Sequence, residues 1–276
     1  MFLHCGSFRF DLSRPLVMGI VNVTPDSFSD GGKHLQRDAA LAHAQQLITE
    51  GADILDIGGE STRPGARPVS IQEEMDRVLP IIEELRDAAV PISIDTFKPE
   101  VMLAAIAAGA QMVNDINALQ DAAAMNAVAA SHAAVCLMHK QGNPQTMQEQ
   151  PVYQNAVAEV RAFLGERIAA AEAAGIQRDR IVIDPGFGFG KTLAHNLALL
   201  QGLNELTALG VPVLAGLSRK SMLGALTGQD VAQRLPASVA AALIAVQRGA
   251  NIVRVHDVRA TVDALKILNA VNGVGL

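Results

Sequence analysis

Residues Arg37–Ile57 read RDAALAHAQQLITEGADILDI, and this stretch contains the repeating unit from which the fold follows. Alanine and leucine recur at helical spacing as far as Glu50, Gly51 ends the helix, and the run Ile54–Ile57 has the length of a buried strand. The same step from helix through glycine to strand recurs at Ala108-Gly109, Ala174-Gly175, Leu209-Gly210 and Arg248-Gly249. This repetition is typical of strand–helix units that build a parallel sheet.

Eight such units can be placed along the chain. The predicted strands are Leu16–Val21, Ile54–Ile57, Pro91–Ile94, Gln111–Val113, Ala134–Met138, Ile181–Ile183, Val211–Ala215 and Asn251–Val255. Helical patterns follow them at Arg37–Glu50, Ile71–Ala88, Pro99–Ala108, Asp121–Ser131, Tyr153–Ala174, Leu193–Leu209, Ser221–Leu226 with Pro236–Arg248, and Ala260–Val271. Eight units in about 250 residues predict an α/β fold, the (β/α)8 TIM barrel.

The barrel is predicted to be a single domain over residues 1–276, because no linker or change of composition divides the chain. Residues Phe2 to Leu12, within the segment 1–14, predict a short hairpin that caps the amino-terminal face of the barrel. An open doubly wound sheet is the alternative fold, and the lack of a dinucleotide-binding glycine fingerprint disfavours it.

Composition and net charge disfavour several classes of binding partner and cellular setting. The net charge of −6, from 28 acidic and 22 basic residues, and an aromatic content of 3% disfavour nucleic acid as a partner. The two cysteines, Cys5 and Cys136, form no disulfide framework or zinc-ligand spacing, which suits a reducing cytoplasm. The longest strongly apolar tract, Val239–Val246, is far shorter than the roughly 20 residues of a membrane span, so we expect no membrane association.

The segment DPGFGFGKT, Asp184–Thr192, resembles a nucleotide-binding P-loop at first sight. The P-loop pattern requires its first glycine where this chain has Pro185, so the pattern fails. Asp184 instead closes a strand at the predicted barrel mouth, as Asp95 does on another strand. A buried carboxylate there costs free energy unless it is paired, so a ligand with adjacent N–H donors would satisfy both residues.

Polar and charged residues follow every predicted strand, at the end of a barrel where active sites lie. Asn22 follows the first strand and Asn114 the fourth, while the cations at the mouth are Arg63, Arg219, Lys220, Arg254 and His256. Carboxylates with amides suit a polar heterocycle, and cations suit a phosphate or diphosphate. Simpler roles are expected elsewhere: helix caps or turns for Asp115, Asn117 and Asp121, solvated charges as an equal alternative for Asp26 and Glu60, and a surface position for His139.

Five segments in this order resemble bacterial dihydropteroate synthase: Asn22–Gly32, Gly58–Gly65, Asp184–Lys191, Gly216–Ser221 and Arg254–Asp257. The resemblance covers essentially the whole chain. It implies a (β/α)8 barrel, usually homodimeric, that joins 4-aminobenzoate to dihydropterin-6-ylmethyl diphosphate and releases diphosphate and dihydropteroate in folate synthesis. Sulfonamides compete with the aminobenzoate in that family.

The resemblance also implies roles for individual residues. The pterin would be bound by Asp95, Asn114, Met138, Asp184 and Lys220, with Arg254 stacked on its face. Diphosphate would contact Asn22, Thr62, Arg254 and His256, with Mg²⁺ at Asn22 and Asp30 as a further candidate. The aminobenzoate would lie among Phe28, Thr62, Arg63, Pro64, Phe189, Lys220 and Ser221. Lys220, Arg254 and His256 would be the catalytic residues, and Lys191 and Thr192 would start the next helix.

Two other hypotheses remain open. A pterin-binding methyltransferase could share this barrel, although it would lack the loops around Phe28 and Arg63. A protein that binds pterin diphosphate without turnover is a second possibility, which the intact loops disfavour. The apolar faces of Pro236–Arg248 and Ala260–Val271 belong either to the core, which their patterning favours, or to a dimer contact.

Overall fold

The structure, a computed structural model, describes residues 1–23, 33–61, 67–142, 147 and 151–273, without the side chains of residues 33–35. An antiparallel hairpin opens the chain, with strands β1 (Phe2–Cys5) and β2 (Phe8–Asp11). The barrel strands are β3 (Leu16–Asn22), β4 (Ile54–Gly58), β5 (Ile92–Asp95), β6 (Met112–Asp115), β7 (Ala134–Met138), β8 (Ile181–Asp184), β9 (Leu214–Ala215) and β10 (Ile252–Val255).

Eight parallel strands form one sheet in the order β8, β7, β6, β5, β4, β3, β10, β9. Its two outer strands also meet, because Ile183 forms a parallel bridge with Val213 and its N–H donates to the carbonyl of Pro212 at 2.9 Å. The sheet therefore closes on itself, and the predicted (β/α)8 barrel is confirmed.

Helices connect the strands on the outside of the barrel. They are α1 (Lys33–Thr49), α2 (Ile71–Leu85), α3 (Pro99–Ala108), α4 (Ala122–Ala129), α5 (Ala156–Ala173), α6 (Leu193–Gln201), α7 (Leu203–Thr207), α8 (Ser221–Thr227), α9 (Leu235–Gln247) and α10 (Val258–Val271). One prediction was wrong in detail: Leu193–Leu209 is two helices, because the chain turns at Gly202, which ends α6 and precedes α7.

The hairpin closes the amino-terminal end of the barrel, as predicted. Leu3 and Cys5 are fully buried and pack with interior residues of seven barrel strands, among them Met18, Ile54 and Met112. The turn of the hairpin is fixed to the barrel because the Gly6 N–H donates to the carbonyl of His132 at 3.2 Å. The half of the barrel interior nearest the amino-terminal ends of the strands is therefore a continuous apolar core.

Interior side chains of such barrels stack in layers of four, each contributed by alternate strands. Strands β4, β6, β8 and β10 contribute one fully buried apolar layer, Ile54, Met112, Val182 and Ile252. Two residues later on the same strands, and so on the same face, stand Asp56, Asn114, Asp184 and Arg254, which we call the polar layer. The interior thus changes from apolar to polar in one step toward the carboxyl ends of the strands.

Candidate active site

Arg254 connects two carboxylates at the barrel mouth. Its Nε donates to Oδ2 of Asp56 at 2.5 Å, and its Nη2 donates to Oδ2 of Asp95 at 2.6 Å. Both carboxylates raise the pKa of Arg254 further above its already high value, and burial opposes them. The guanidinium therefore remains charged, with its plane fixed from two sides.

Asp95 is the last residue of β5 and lies slightly nearer the solvent than the polar layer. It pairs in register with Asn114 on β6. Burial raises the pKa of the Asp95 carboxyl to about 7, and the charge of Arg254 opposes that shift. The charge of the Asp95 carboxyl therefore depends on its pairing with Arg254.

Asn114 is buried in the polar layer beside Asp56. Its Nδ2 donates to Oδ2 of Asp56 at 3.0 Å, the same oxygen that accepts from Arg254. Met138 ends β7 and pairs in register with Asp184, so the predicted pterin residues Asp95, Asn114, Met138 and Asp184 come together around one opening.

Asp184 holds the loop that follows β8 and also faces the opening. Its Oδ1 accepts the N–H of Gly186 at 2.6 Å, while Oδ2 accepts no hydrogen bond from the part of the chain that the structure describes. Burial raises the pKa of Asp184, with Lys220 the main opposing charge. Oδ2 lies 3.8 Å from where a methyl group on Gly216 would stand, so the missing side chain of Gly216 leaves room for a ligand next to this acceptor.

The glycines of DPGFGFGKT serve the turn and a close approach between two loops. Gly186, Gly188 and Gly190 have φ values of +67°, +80° and +61°, which side chains rarely adopt. A methyl group on Gly186 would overlap the carbonyl oxygen of His139, and one on Gly190 would overlap that of Gln141. The loop after β8 is thus packed against the loop after β7, and a phosphate-binding role is not needed to explain its glycines.

The roles predicted for Lys191 and His139 are corrected by the structure. Thr192 is the N-cap of α6, as expected, but Lys191 is 3% exposed and its Nζ donates to the carbonyls of Gly186 at 2.9 Å and Phe189 at 3.0 Å. The same Nζ lies 3.0 Å from Nδ1 of His139, which is buried and not on the surface. Burial lowers the pKa of Lys191 to about 7 and that of His139 to about 3.

Lys220 links the pterin side of the opening to the residues predicted for aminobenzoate. Its Nζ donates to the carbonyl of Phe187 and lies 4.9 Å from the ring centroid of Phe189, a cation–π distance. Burial lowers the pKa of Lys220 to about 8, against the charge of Asp184. Lys220 and Phe189 are thus neighbours, and Ser221 follows Lys220 in the chain as the exposed first residue of α8.

His256 follows Arg254 by two residues and lies nearer the solvent at the barrel mouth. Its ring Nδ1 lies 3.0 Å from Oγ of Ser218, and its backbone N–H donates to the same oxygen at 3.2 Å. Arg219, a predicted cation of the mouth, is bound instead to Asp257 through Nε at 3.0 Å and Nη2 at 2.6 Å. Among the basic candidates in the described residues, Lys220, Arg254 and His256 therefore remain for a ligand.

Glu60 is not the solvated charge that was one of its two expected roles. Its Oε2 accepts from Nζ of Lys98 at 2.6 Å, and the same nitrogen donates to Glu74 at 2.5 Å and to the carbonyl of Val69 at 2.7 Å. Glu60 and Val69 lie on either side of residues 62–66. The side chains of Glu60, Lys98 and Glu74 therefore fix both ends of the loop that contains residues 62–66.

The turn and helix-cap roles expected for Asp115 and Asp121 are confirmed. Asp121 caps α4 by accepting from the N–H groups of Ala123 and Ala124, and Asp115 accepts from those of Asn117 at 2.7 Å and Leu119 at 2.8 Å. Asp115 is nevertheless buried, and burial raises its pKa to about 6.

Comparisons with known proteins agree with this geometry. Residues 18–256 match the profile of the pterin binding enzyme family. Dihydropteroate synthase of Escherichia coli strain K12 is 51% identical over 271 residues, covering 98% of this chain and 96% of the relative. Dihydropteroate synthase of Xanthomonas albilineans, solved with 4-aminobenzoic acid, is 57% identical with a TM-score of 0.93 and 99% coverage of both chains. The same enzyme in complex with 7,8-dihydropteroate is 55% identical with a TM-score of 0.91, and both chains are fully covered.

The chain belongs to the dihydropteroate synthase family. The enzyme class predicted from the sequence, a transferase, is confirmed with it.

Several residues predicted from the sequence for the dihydropteroate synthase site lie outside the described part of the chain. These are the aminobenzoate candidates Phe28, Thr62, Arg63 and Pro64, together with Asp26 and Asp30. Asn22 is described: it is the last residue of β3, half-buried, and pairs in register with Gly58, which in turn pairs with Asp95.

Sequence reasoning missed Asp56, which holds both Arg254 and Asn114. The available signal was a carboxylate in the middle of the apolar run ILDI, where burial demands a partner. Within the described ranges, no group of three or more His, Cys, Asp or Glu side chains could hold a metal ion. Over the same ranges, none of the helices has the length and apolar character to cross a membrane.

Proposed function

We propose that the chain condenses (7,8-dihydropterin-6-yl)methyl diphosphate with 4-aminobenzoate to give 7,8-dihydropteroate and diphosphate. The observation that carries this proposal is the polar layer itself. It places an acceptor of Asp184 beside the gap at Gly216, with Asn114 and the guanidinium of Arg254 in the same layer. The ligands of the two Xanthomonas albilineans structures support it.

The pterin ring would lie above the polar layer. Its edge of adjacent N–H groups would donate to Asp184 and Asn114, and a further ring N–H would donate to Asp95. Met138 would contact the ring from the side, Lys220 would donate to its acceptor edge, and Arg254 would stack on its face. This arrangement uses the buried carboxylates as acceptors, which offsets the cost of their burial.

The diphosphate would extend toward the solvent and contact His256, Arg254 and Asn22, and Thr62 would be a further contact. Mg²⁺ usually keeps several waters and binds through substrate phosphates with one or two protein ligands. The amide oxygen of Asn22 fits one such ligand position. When bound, the ion would neutralise charge on the leaving diphosphate.

The aminobenzoate would approach from the side of Phe189, Lys220 and Ser221. Phe189 offers a ring face to the aromatic substrate, and Ser221, at the start of α8, offers donors to its carboxylate. Phe28, Thr62, Arg63 and Pro64 would complete this side of the site. Sulfonamides, which resemble 4-aminobenzoate in shape, would then compete for the same position.

The reaction breaks the bond between the pterin methylene carbon and a diphosphate oxygen, and the electron pair leaves with diphosphate. The neutral aryl amine then forms the carbon–nitrogen bond and loses one proton. No strong base is required, because electron donation from the ring stabilises the carbon that loses diphosphate. Arg254 and His256 would stabilise the charge on the leaving group, and Lys220 would fix the ring and the amine relative to each other.

The test is diphosphate release with both substrates and Mg²⁺. We expect release only when 4-aminobenzoate is present, and we expect Asp184→Asn to lose most pterin affinity while the fold survives. Asp121→Asn is the matched control, since asparagine caps a helix as well as aspartate does. Normal turnover by Asp184→Asn would show that the pterin assignment is wrong.

The same assay separates the alternatives. Pterin binding with no diphosphate release would favour a protein that binds without turnover. Methyl transfer from a methylated pterin, independent of 4-aminobenzoate, would favour a methyltransferase.

We also propose a cytoplasmic homodimer. Cys5 and Cys136 are buried free thiols, as suits a reducing compartment. One face of α10 packs into the core through Val258 and Leu265, whereas Ile267 and Val271 on its other side are 69% and 79% exposed and could contact a second copy. Sedimentation of the wild type and of Val271→Asp would test this assembly.

A further inference from the structure

Asp56 is fully buried and binds two members of the site through one oxygen. Oδ2 accepts from Nε of Arg254 at 2.5 Å and from Nδ2 of Asn114 at 3.0 Å. A carboxylate that binds a guanidinium offers acceptors only. The groups that face Asp56 must therefore be donors.

This requirement fixes the orientation of the Asn114 amide. With the amide reversed, its oxygen would face the Asp56 carboxylate at hydrogen-bond distance, and two acceptors would repel. The NH2 group of Asn114 is thus committed to Asp56, and its carbonyl oxygen is left on the opposite side. Asp184, the next residue around the polar layer, contributes a further acceptor, because its Oδ2 accepts no hydrogen bond from the described residues.

We infer that Asp56 is the positioning residue that selects the hydrogen-bonding pattern of the ring bound by Asn114 and Asp184. Through Asn114, Asp56 makes the floor of the site a pair of acceptors, which takes a heterocycle with adjacent N–H donors on one edge. Rings with an oxo group in place of an exocyclic amine are rejected, because two oxygens would then oppose each other. The inference rests on the proposed function, since it names the part of the pterin that is recognised.

The decisive experiment removes the acceptor that faces Asn114. In Asp56→Leu the Asn114 amide loses the oxygen that orients it, so its NH2 can turn toward the ring, while Arg254 keeps its ion pair with Asp95. We expect the affinity for 6-hydroxymethylpterin, measured by calorimetry, to fall about tenfold or more.

Asp56→Asn is the conservative variant that should keep binding. Its amide oxygen can take the place of Oδ2 and accept from both Arg254 and Asn114, and its NH2 then takes the place of Oδ1, which has no hydrogen-bond partner in the described residues. We expect its affinity for 6-hydroxymethylpterin to stay within about threefold of wild type. Equal losses in Asp56→Asn and Asp56→Leu would overturn the inference, and if Asp56→Leu does not fold, a loss greater than about tenfold in Asp56→Asn still contradicts it.

A specificity measurement separates positioning from general support of the core. The wild type and Asp56→Asn should both prefer 6-hydroxymethylpterin over 6-hydroxymethyllumazine, which carries an oxo group in place of the amine, and Asp56→Leu should lose most of that preference. Equal preference in Asp56→Leu and wild type would overturn the inference. Ser93→Ala is the matched control: Ser93 pairs in register with Asp56 and is as deeply buried, yet contacts neither Asn114 nor Arg254 through any hydrogen bond in the described residues.

The outcomes for the two proposals differ. If wild type binds no pterin at all, the proposed function fails. If wild type binds 6-hydroxymethylpterin and releases diphosphate while Asp56→Leu keeps the wild-type affinity and preference, only the role of Asp56 fails.

Discussion

The ammonium of Lys191 lies 3.0 Å from Nδ1 of His139 and 2.9 Å from the carbonyl oxygen of Gly186, so one buried side chain joins the loop after β8 to the loop after β7. Phe189, whose carbonyl also accepts from Lys191, carries the ring beside Lys220. The position of the predicted aminobenzoate contact therefore depends on a lysine that does not itself face the opening.

Replacing Lys191 with methionine should weaken both the fold and the binding of 4-aminobenzoate. The carbonyls of Gly186 and Phe189 would lose their donor, and we expect the free energy of unfolding to fall by about 2–3 kcal/mol. The KM for 4-aminobenzoate should rise more than that for the pterin diphosphate. Urea denaturation and steady-state kinetics measure the two effects, and an unchanged ratio of the two KM values would contradict this prediction.

The same lysine predicts a pH dependence of stability. Its pKa is about 7 in the folded chain against 10.5 ordinarily, so between pH 7 and 10 the unfolded chain binds more protons. Stability therefore rises with pH across that window, by roughly 2–4 kcal/mol relative to Lys191→Met, and the difference is constant below pH 7. Denaturation of both proteins from pH 6 to 10 checks the sign, and a difference that shrinks with rising pH would refute it.

Replacing Arg254 with methionine should be more damaging than any other single change at the mouth. Asp56 and Asp95 would remain buried carboxylates without their cation, so we expect the free energy of unfolding to fall by about 3–5 kcal/mol. The variant should also lose diphosphate-releasing activity. Arg254→Lys is the control, since it keeps the charge but reaches one carboxylate at a time. Equal stability of the methionine and lysine variants would show that the ion pairs contribute little.

Gly216→Ala tests the gap next to Asp184. The added methyl group would stand 3.8 Å from Oδ2 of Asp184 and 3.9 Å from Cβ of Arg254, which are ordinary contacts, so stability should change by less than about 1 kcal/mol. Pterin affinity should nevertheless fall about tenfold, because the methyl group occupies the ligand's side of the acceptor. Gly165→Ala, in α5 far from the mouth, is the control, and calorimetry with 6-hydroxymethylpterin is the measurement. Full retention of affinity would place the ring elsewhere.

Much of the fold could be predicted because its signals are local. Each strand is a short apolar run and five of the helical patterns end at a glycine, so β7 and α3 were predicted to the residue. The turn at Gly202 was missed because a lone glycine inside a helical pattern is often tolerated.

The site was predictable where a residue's position along a strand already determines its surroundings. Asp95, Asn114, Asp184 and Arg254 all lie at strand ends, and barrel geometry brings strand ends together. Partners distant in sequence were not predictable: Lys98 is 38 residues from Glu60, and Lys191 is 52 from His139. Asp56 was overlooked because it lies inside a strand, where its pairing with Arg254 depends on closure of the barrel.

The hairpin at the amino-terminal end has an electrostatic consequence. Leu3 and Cys5 lie in the apolar cluster that fills the amino-terminal end of the barrel and excludes water from that side. Water therefore reaches the polar layer from the mouth, at the carboxyl ends of the strands. Once a ligand covers that single opening, Asp56, Asp184 and Arg254 interact in a medium of low dielectric constant, where each charge acts more strongly on the reacting atoms. Residues at one end of the barrel thus help to set the field at the other.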